Sequence, residues 1–270
     1  MPRAGMDKMF ETYVKDGDVY LVTPTGDKRV RTGGATPNQD FGTPIVEAGR
    51  VPDSFVAAGA DGALGVDFKV ITTGFNELQK EVIFNAVNYL AYLLSDSDGV
   101  DLRDGRVQDI EMRVTAMPID GRGRYLGFAG PDRLDLHDYL TSIGKINIDS
   151  ADLPYWSRMR LLHIVFHEAM HVVGFGCFWG MQNLISSDRK WFHGEHAVRM
   201  YGSPVPVEDL GGSGTKGAHW SERVFDKELM TGWYDSAGSY LSPITVESLR
   251  DLGWQVRKDY LLLHEIQEFM

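Results

Sequence analysis

The spacing of apolar residues along the chain predicts both helices and strands. Apolar residues recur every three or four positions over 76–95, which is typical of the buried face of a long helix. A second such pattern over 156–173 predicts another buried helix, for which 149–154 supply a capping residue and an early proline. Short apolar runs at 68–72 and 110–115 predict strands. The pattern therefore indicates an α+β fold.

The two ends of the chain differ from this central part. Segments 18–23 and 28–30 predict a β-hairpin around a turn that contains proline and glycine. The stretch that follows is rich in glycine and proline, and we expect a linker or an arm that lies along the surface. Apolar positions near the C-terminus predict an amphipathic tail that packs on the body or on another chain. The sequence thus predicts an N-terminal arm over 1–65, a central domain over 66–256 and a tail over 257–270.

Composition and charge narrow the classes of function. A chain of 270 residues, of which 43% are hydrophobic, can bury a substantial core. Its net charge of −11, without a block of lysine and arginine, argues against a nucleic-acid partner. No apolar stretch reaches the length of a membrane span, and residues 1–5 are not followed by the apolar core of a secretory signal. We therefore expect secretion by a signal-independent route, or a place within a virion or another particle.

The second predicted helix carries the sequence His167-Glu168-Ala169-Met170-His171. Two histidines four residues apart share one helical face, and neutral imidazoles are good ligands for Zn²⁺. Glu168 stands beside them, where its carboxylate can take a proton from a zinc-activated water. Gly174 then lets the chain turn away. Two core histidines with satisfied hydrogen bonds are the alternative, but the full pattern favours zinc.

A catalytic zinc ion needs a third protein ligand and an open position for water. In a compact motif this ligand stands three residues after the glycine, a position that Cys177 occupies. A thiolate is chemically possible there, although nitrogen and oxygen ligands are more usual for zinc that activates water. His219 is the better candidate, because a glycine-rich segment leads to it and Met230 follows in a turn.

At these residues the chain resembles the leishmanolysin family of zinc endopeptidases, a branch of the metzincin clan, and particularly its bacterial relatives. In that family an insertion displaces the third zinc histidine into a Gly-x-His-Trp segment, which a Glu-Leu-Met-Thr-Gly turn follows. This chain has the matching segments at 217–220 and 228–232. The resemblance covers residues 66–256, and it departs in cysteine content, since a single cysteine can form no internal disulfide.

The resemblance implies the site, the fold and the activity. It makes His167, His171 and His219 the ligands of one zinc ion, Glu168 the general base, and Met230 the hydrophobic floor beneath the metal. The fold is then metzincin-like, with an upper lobe that contains a twisted mixed sheet and two long helices. An irregular lower lobe with the Met-turn follows, and zinc lies in the cleft between the lobes. The implied function is zinc-dependent hydrolysis of peptide bonds in protein or peptide substrates.

Two further elements of the site follow from the resemblance. In metzincins an exposed antiparallel edge strand pairs with an extended substrate, and the matching place here is occupied by Leu126, Gly127, Phe128 and Ala129. Small residues there let a peptide backbone approach, as in β-strand addition. An ordinary strand that ends in a turn at 130–131 is the alternative. Tyr234, shortly after Met230, is a candidate for hydrogen bonding to the oxyanion.

A function of a different class stays open. The chain could be a structural or attachment subunit of a larger particle, such as a virion or tail assembly, with its arm and tail on neighbouring chains. The arm could also cross the cleft and cap the zinc through Asp53 or Asp61. Glu168 favours catalysis, since a purely structural metal needs no base.

Acidic residues within 96–104 suggest calcium at first sight. They lack the glycine and the closing glutamate of an EF-hand loop. We therefore expect a solvated turn there.

Overall fold

The structure is a computed structural model in which the chain divides into two compact units. It describes in full residues 52–57, 66–94, 110–134, 140–212, 214–235 and 239–257, and it describes the backbone of 12–15, 18–21 and 28–31. The sheet unit comprises 40–177 and 255–257. The irregular unit comprises 178–254 with the terminal segments 1–39 and 258–270. The predicted tail beyond residue 257, Asp61 and the acidic stretch 96–104 lie outside the described residues.

Three short strands near the N-terminus form an antiparallel sheet. They are β1 (Thr12–Lys15), β2 (Asp18–Leu21) and β3 (Lys28–Arg31), paired in that order. Strands β2 and β3 stand where the alternating pattern predicted a hairpin. Strand β1 was not predicted.

Five strands form the mixed sheet of the sheet unit. In chain order they are β4 (Ser54–Ala57), β5 (Phe68–Thr73), β6 (Ile110–Met117), β7 (Gly127–Leu134) and β8 (Thr141–Asp149). Their order across the sheet is β4-β5-β6-β8-β7. Strands β5, β6 and β8 run parallel, and each edge strand is antiparallel to its neighbour. Strand β4 was not predicted, because its four residues lie in the stretch rich in glycine and proline.

Two long helices complete the sheet unit, as the apolar spacing predicted. They are α1 (Glu77–Leu93) and α2 (Arg158–Val172), which contact each other. Asn76 and Gln79 form a reciprocal capping box at the start of α1. The α+β class with a mixed sheet is therefore confirmed.

The start of α2 differs from the prediction. Residues Leu153–Tyr155 form a separate 3₁₀ turn, and Ser157 caps the helix by accepting the N–H of Arg160 at 3.2 Å. Pro154 cannot donate a backbone hydrogen bond and stands in the 3₁₀ turn, so the helix begins only after it. The cap predicted within 149–154 is thus wrong by a few residues.

The end of α2 is fixed against strand β8. The hydroxyl of Thr141 donates to the carbonyl oxygen of Val172 at 2.6 Å. A Cβ at Gly144 would lie 2.2 Å from a methyl carbon of Val172, so only glycine fits at this contact between helix and sheet. The last turn of the helix, which carries the histidines, therefore has a fixed place on the sheet.

The described residues of the irregular unit between 178 and 254 form short elements. They are β9 (Trp191–Phe192), α3 (Glu195–Tyr201), β10 (Val205–Pro206), α4 (Glu222–Phe225) and α5 (Pro243–Asp251). Its core contains an aromatic cluster in which Trp220 stacks on Trp179 with ring centroids 4.9 Å apart. Phe192 meets Trp220 edge to face at 5.4 Å. Packing of large aromatic rings thus supplies much of the core that regular elements supply elsewhere.

Candidate functional site

The final turns of α2 bring two imidazoles together. The Nε2 atoms of His167 and His171 lie 3.1 Å apart, and the two rings meet edge to face. Two ligands of a tetrahedral zinc ion with bonds of about 2.0–2.1 Å stand roughly 3.3 Å from each other. The separation of the two nitrogens therefore suits a shared metal ion. Gly174 follows with φ of 104°, a left-handed conformation that ends the helix.

The surroundings of His171 fix which nitrogen can bind a metal. Its Nδ1 lies 2.9 Å from the carbonyl oxygen of Phe175, and a carbonyl can only accept, so Nδ1 carries the proton. Nε2 then holds the lone pair. Burial lowers the pKa of His171, which favours the neutral imidazole that metal binding requires.

Glu168 is buried next to the histidine pair. It is 7% exposed, and desolvation raises its pKa to about 8. Edge strand β7 comes close to this carboxylate, because a Cβ built on Gly127 would lie 3.3 Å from Glu168 Oε1 and 2.9 Å from the carbonyl oxygen of Asn147. Only a glycine at 127 leaves this space open.

Strand β7 is an antiparallel edge strand, as predicted, and among the described strands it pairs with β8 alone. It runs through Pro131 to Leu134, so the alternative in which the strand ends at 130–131 is wrong. Proline is tolerated there because an edge strand has one unpaired side. Phe128 is exposed, while Leu126, Gly127 and Ala129 are partly buried.

A loop held by two carboxylates precedes this strand, and sequence reasoning missed it. The buried Asp149 accepts the N–H groups of Asp120, Gly121 and Ala151 at 3.1, 3.0 and 2.9 Å. These hydrogen bonds hold the pKa of Asp149 below its usual range. Asp152 accepts the N–H of Gly123 at 3.0 Å.

Cys177 lies near the same strand. Its sulfur is 3.7 Å from the position of a Cβ on Gly130. The residue is exposed, but desolvation of the sulfur and the nearby carboxylate of Glu168 raise the pKa of the thiol to about 11. At neutral pH the thiol is therefore protonated in the absence of a metal ion.

His219 lies in the irregular unit and is 6% exposed. Its Nδ1 is 3.1 Å from the carbonyl oxygen of Thr215, so by the same reasoning Nε2 holds the lone pair. Gly217, two residues earlier, has φ of 75°, and a Cβ there would lie 2.5 Å from Arg189 Nε. The glycine-rich approach to His219 is thus a requirement of the backbone.

Backbone hydrogen bonds from neighbouring segments hold His219 and Trp220 in place. The N–H of Glu208 donates to the carbonyl oxygen of His219 at 2.9 Å, and the N–H of Trp220 donates to that of Met230 at 3.0 Å. Met230 is fully buried in a turn in which the N–H of Thr231 donates to the carbonyl oxygen of Glu228 at 3.1 Å. Motif reading found His219 and Met230. It included Glu228 in the matching turn without giving it a role, and it did not identify Glu208.

Tyr234 is partly buried and follows this turn. Its part in oxyanion binding stays a prediction. The structure brings His167 and His171 of the sheet unit together, and His219 as the third ligand stays a prediction.

Comparisons with known proteins find leishmanolysins. Residues 183–260 match the model of the leishmanolysin family, peptidase family M8. The chain is 30% identical over 131 residues to a leishmanolysin homologue of Crithidia fasciculata, a match that covers 42% of this chain and 20% of that protein. It is 26% identical over 164 residues to leishmanolysin of Leishmania donovani, which covers 54% of this chain and 27% of that protein.

These matches are partial. The chain spans about a fifth to a quarter of the length of the two relatives. The family match contains His219 and Met230 and begins after the helix that carries the histidine pair. The resemblance to leishmanolysin is confirmed, and over the matched segments the chain is leishmanolysin-like.

Proposed function

We propose that this protein is a zinc-dependent endopeptidase of the leishmanolysin type, with a metzincin-like fold. The observation that carries the proposal is the pair of Nε2 atoms 3.1 Å apart on α2, with the buried carboxylate of Glu168 between the two histidines in sequence. The confirmed resemblance to leishmanolysin supports His219 as the third ligand.

The donor set fits zinc. Three neutral imidazoles are an established ligand set for catalytic Zn²⁺, and they leave one coordination position for water or substrate. Nδ1 of His171 and Nδ1 of His219 each face a backbone carbonyl oxygen, which fixes the ring orientation and makes Nε2 the ligand atom. A zinc ion bound there supplies Lewis acidity that polarises a carbonyl group and lowers the pKa of a coordinated water towards about 7.

Glu168 acts as the general base, since the charge of a bound Zn²⁺ would lower its pKa from the value of about 8 that burial alone gives and would favour the ionised carboxylate. Its carboxylate accepts a proton from the attacking water and returns that proton to the leaving amine nitrogen. Its burial keeps bulk water from competing for the proton. A purely structural metal site would have no use for such a group.

The substrate lies as an extended strand beside β7. Backbone groups on the unpaired side of β7 pair with the peptide, and Leu126–Ala129 form the contact. Gly127 keeps a side chain from standing between the peptide and Glu168. In this proposal Met230 forms the floor beneath the metal, and Tyr234 supports the oxyanion.

The test uses Glu168→Gln in the full chain, with zinc content and cleavage of a casein substrate measured together. We expect zinc to stay bound and kcat to fall by about 10²–10⁴-fold, because a base is lost and no ligand is. Glu247→Gln is the control, since it neutralises a partly buried glutamate on α5, which pairs with Arg250 at 3.2 Å. Wild-type activity in Glu168→Gln would refute the mechanism.

The attachment role in a larger particle stays a prediction. No contact among the described residues favours it over catalysis. If the zinc-loaded protein had no peptidase activity, the attachment role would be favoured over catalysis.

A further inference from the structure

Glu228 is a buried carboxylate that the proposed mechanism does not use. The residue is 1% exposed, and Met230, Ser242 and Thr245 donate hydrogen bonds to it. Its Oε2 accepts the N–H of Met230 at 2.5 Å. Its Oε1 accepts the N–H of Ser242 at 3.0 Å and the hydroxyl of Thr245 at 2.5 Å. One side chain thus joins the turn around Met230 to the start of α5.

The same network reaches the residue after His219. The indole Nε1 of Trp220 donates to the hydroxyl oxygen of Thr245 at 2.7 Å. The backbone N–H of Trp220 donates to the carbonyl oxygen of Met230. The hydrogen bonds therefore form a closed ring that runs from Glu228 through Met230, Trp220 and Thr245 and back to Glu228.

We propose that Glu228 is a positioning residue that sets His219 and Met230 in one fixed arrangement. The inference rests on the proposed function, because it assumes that His219 binds zinc. Glu228 holds Met230 directly, and it holds Trp220 through the hydroxyl of Thr245. Trp220 lies in the aromatic cluster, so its neighbour His219 can change position only if the ring of hydrogen bonds changes too.

A carboxylate suits this place better than any neutral group. Desolvation raises the pKa of Glu228, and the hydrogen bonds from Thr245, Ser242 and Met230 counteract that rise. Both carboxylate oxygens accept hydrogen bonds, which Met230, Ser242 and Thr245 donate. A glutamine would have to turn its NH₂ group towards at least one of these donors. One buried N–H would then lose its acceptor, or the segment would shift.

The chain offers a matched control in the same unit. Asp251, at the other end of α5, accepts the N–H groups of His196 and Ala197 at 2.8 and 2.9 Å. It fastens α3 to α5 and has no hydrogen bond to Trp220 or Met230 in the structure. Asp251→Asn therefore disturbs a comparable carboxylate that receives amide N–H groups, without touching the ring.

The experiment compares Glu228→Gln with Asp251→Asn in the full chain. Zinc affinity is measured by competition with a chelator, and the visible spectrum of the cobalt-substituted protein reports the ligand geometry. We expect Glu228→Gln to bind zinc about 10- to 100-fold more weakly and to change the cobalt spectrum, as loss of groups that orient metal ligands does. We expect Asp251→Asn to lower the Tm while it keeps wild-type zinc affinity and the wild-type spectrum.

Thr245 provides a second test that does not depend on the folding of Glu228→Gln. Thr245→Val removes the hydroxyl that joins Glu228 to Trp220, and Thr245→Ser keeps it. We expect zinc affinity to fall by about threefold to tenfold in Thr245→Val and to be rescued in Thr245→Ser, since the hydroxyl makes the hydrogen bonds to Glu228 and Trp220. Equal affinity in the two variants would overturn the proposal.

Failure of this inference can be told from failure of the proposed function. If zinc binds through His219 in the wild type and Glu228→Gln keeps the wild-type affinity and spectrum, only the role of Glu228 is refuted. If His219→Ala leaves zinc binding unchanged, the proposed site and this inference both fall.

Discussion

The two regions that carry the proposed zinc ligands are built in different ways. His167 and His171 lie on α2, where backbone hydrogen bonds within the helix fix the chain and the spacing of four residues brings the two rings together. His219 lies on irregular backbone, where groups from 208 and 230 hold the chain instead. A ligand on a helix needs few other side chains for its position, whereas a ligand on irregular chain needs a surrounding network.

Removing one ligand from each region gives the largest expected effect. We expect His171→Ala and His219→Ala each to reduce bound zinc from about one ion per chain to near zero, because a site with two protein ligands is too weak. Alanine is a good helix former, so α2 should persist in His171→Ala by far-UV circular dichroism. His193→Ala is the control, since His193 is an exposed histidine of the irregular unit. Full zinc content in His219→Ala would show that the irregular region carries no ligand.

Substitution of Gly127 on β7 should have the next largest effect on activity, with Gly130 on the same strand as the control. In Gly127→Ala the added methyl group would lie 2.9 Å from the carbonyl oxygen of Asn147 and 3.3 Å from Glu168 Oε1. We expect kcat/KM to fall by about 10- to 100-fold, because the methyl group displaces the base or the strand by a fraction of an ångström. In Gly130→Ala the methyl group meets only the sulfur of Cys177 at 3.7 Å, an ordinary contact. If both variants lost activity equally, closeness to Glu168 would not be the reason.

The same contrast between regions explains what the sequence could predict. Periodicity indicated α1, α2, β5 and β6, because each buries one face, and apolar spacing records that burial. The histidine pair was equally clear, since its geometry follows from the helix. The edge position of β7 came from the resemblance to a family, and periodicity alone did not give it.

Other features have no local signal. Strand β4 forms because it pairs with β5, and its own four residues do not predict this contact. Ser157 caps α2 although an earlier aspartate and proline pattern looked stronger. The roles of Glu208 and Glu228 follow only from the fold, which places buried N–H groups around their carboxylates. Buried polar networks depend on contacts between distant residues, and sequence spacing does not record these contacts.

Asp149 shows that the sheet unit also uses a carboxylate where its regular elements end. Its folded pKa is lowered by N–H groups of Ala151, Asp120 and Gly121. The stabilisation is therefore fully present above the unfolded pKa of about 3.9 and is lost as pH falls through the lower folded pKa. We expect Asp149→Asn to be less stable than the wild type at pH 7, and the difference to shrink below about pH 4. Urea unfolding at several pH values measures this difference, and a difference independent of pH would contradict the assignment.

Cys177→Ser should have the smallest effect, and it tests whether the third ligand lies on the chain just after α2 or on the irregular segment. Cys177 occupies the place of the third ligand in a compact motif, but its thiol has a pKa raised to about 11, and its sulfur lies near Gly130. The resemblance to leishmanolysin assigns the third ligand to His219 and not to Cys177. We therefore expect zinc affinity and kcat/KM to stay within about twofold of the wild type, since no ligand is removed. Loss of zinc in Cys177→Ser would instead place the third ligand beside the helix, and His219 with its supporting network would have no role at the metal.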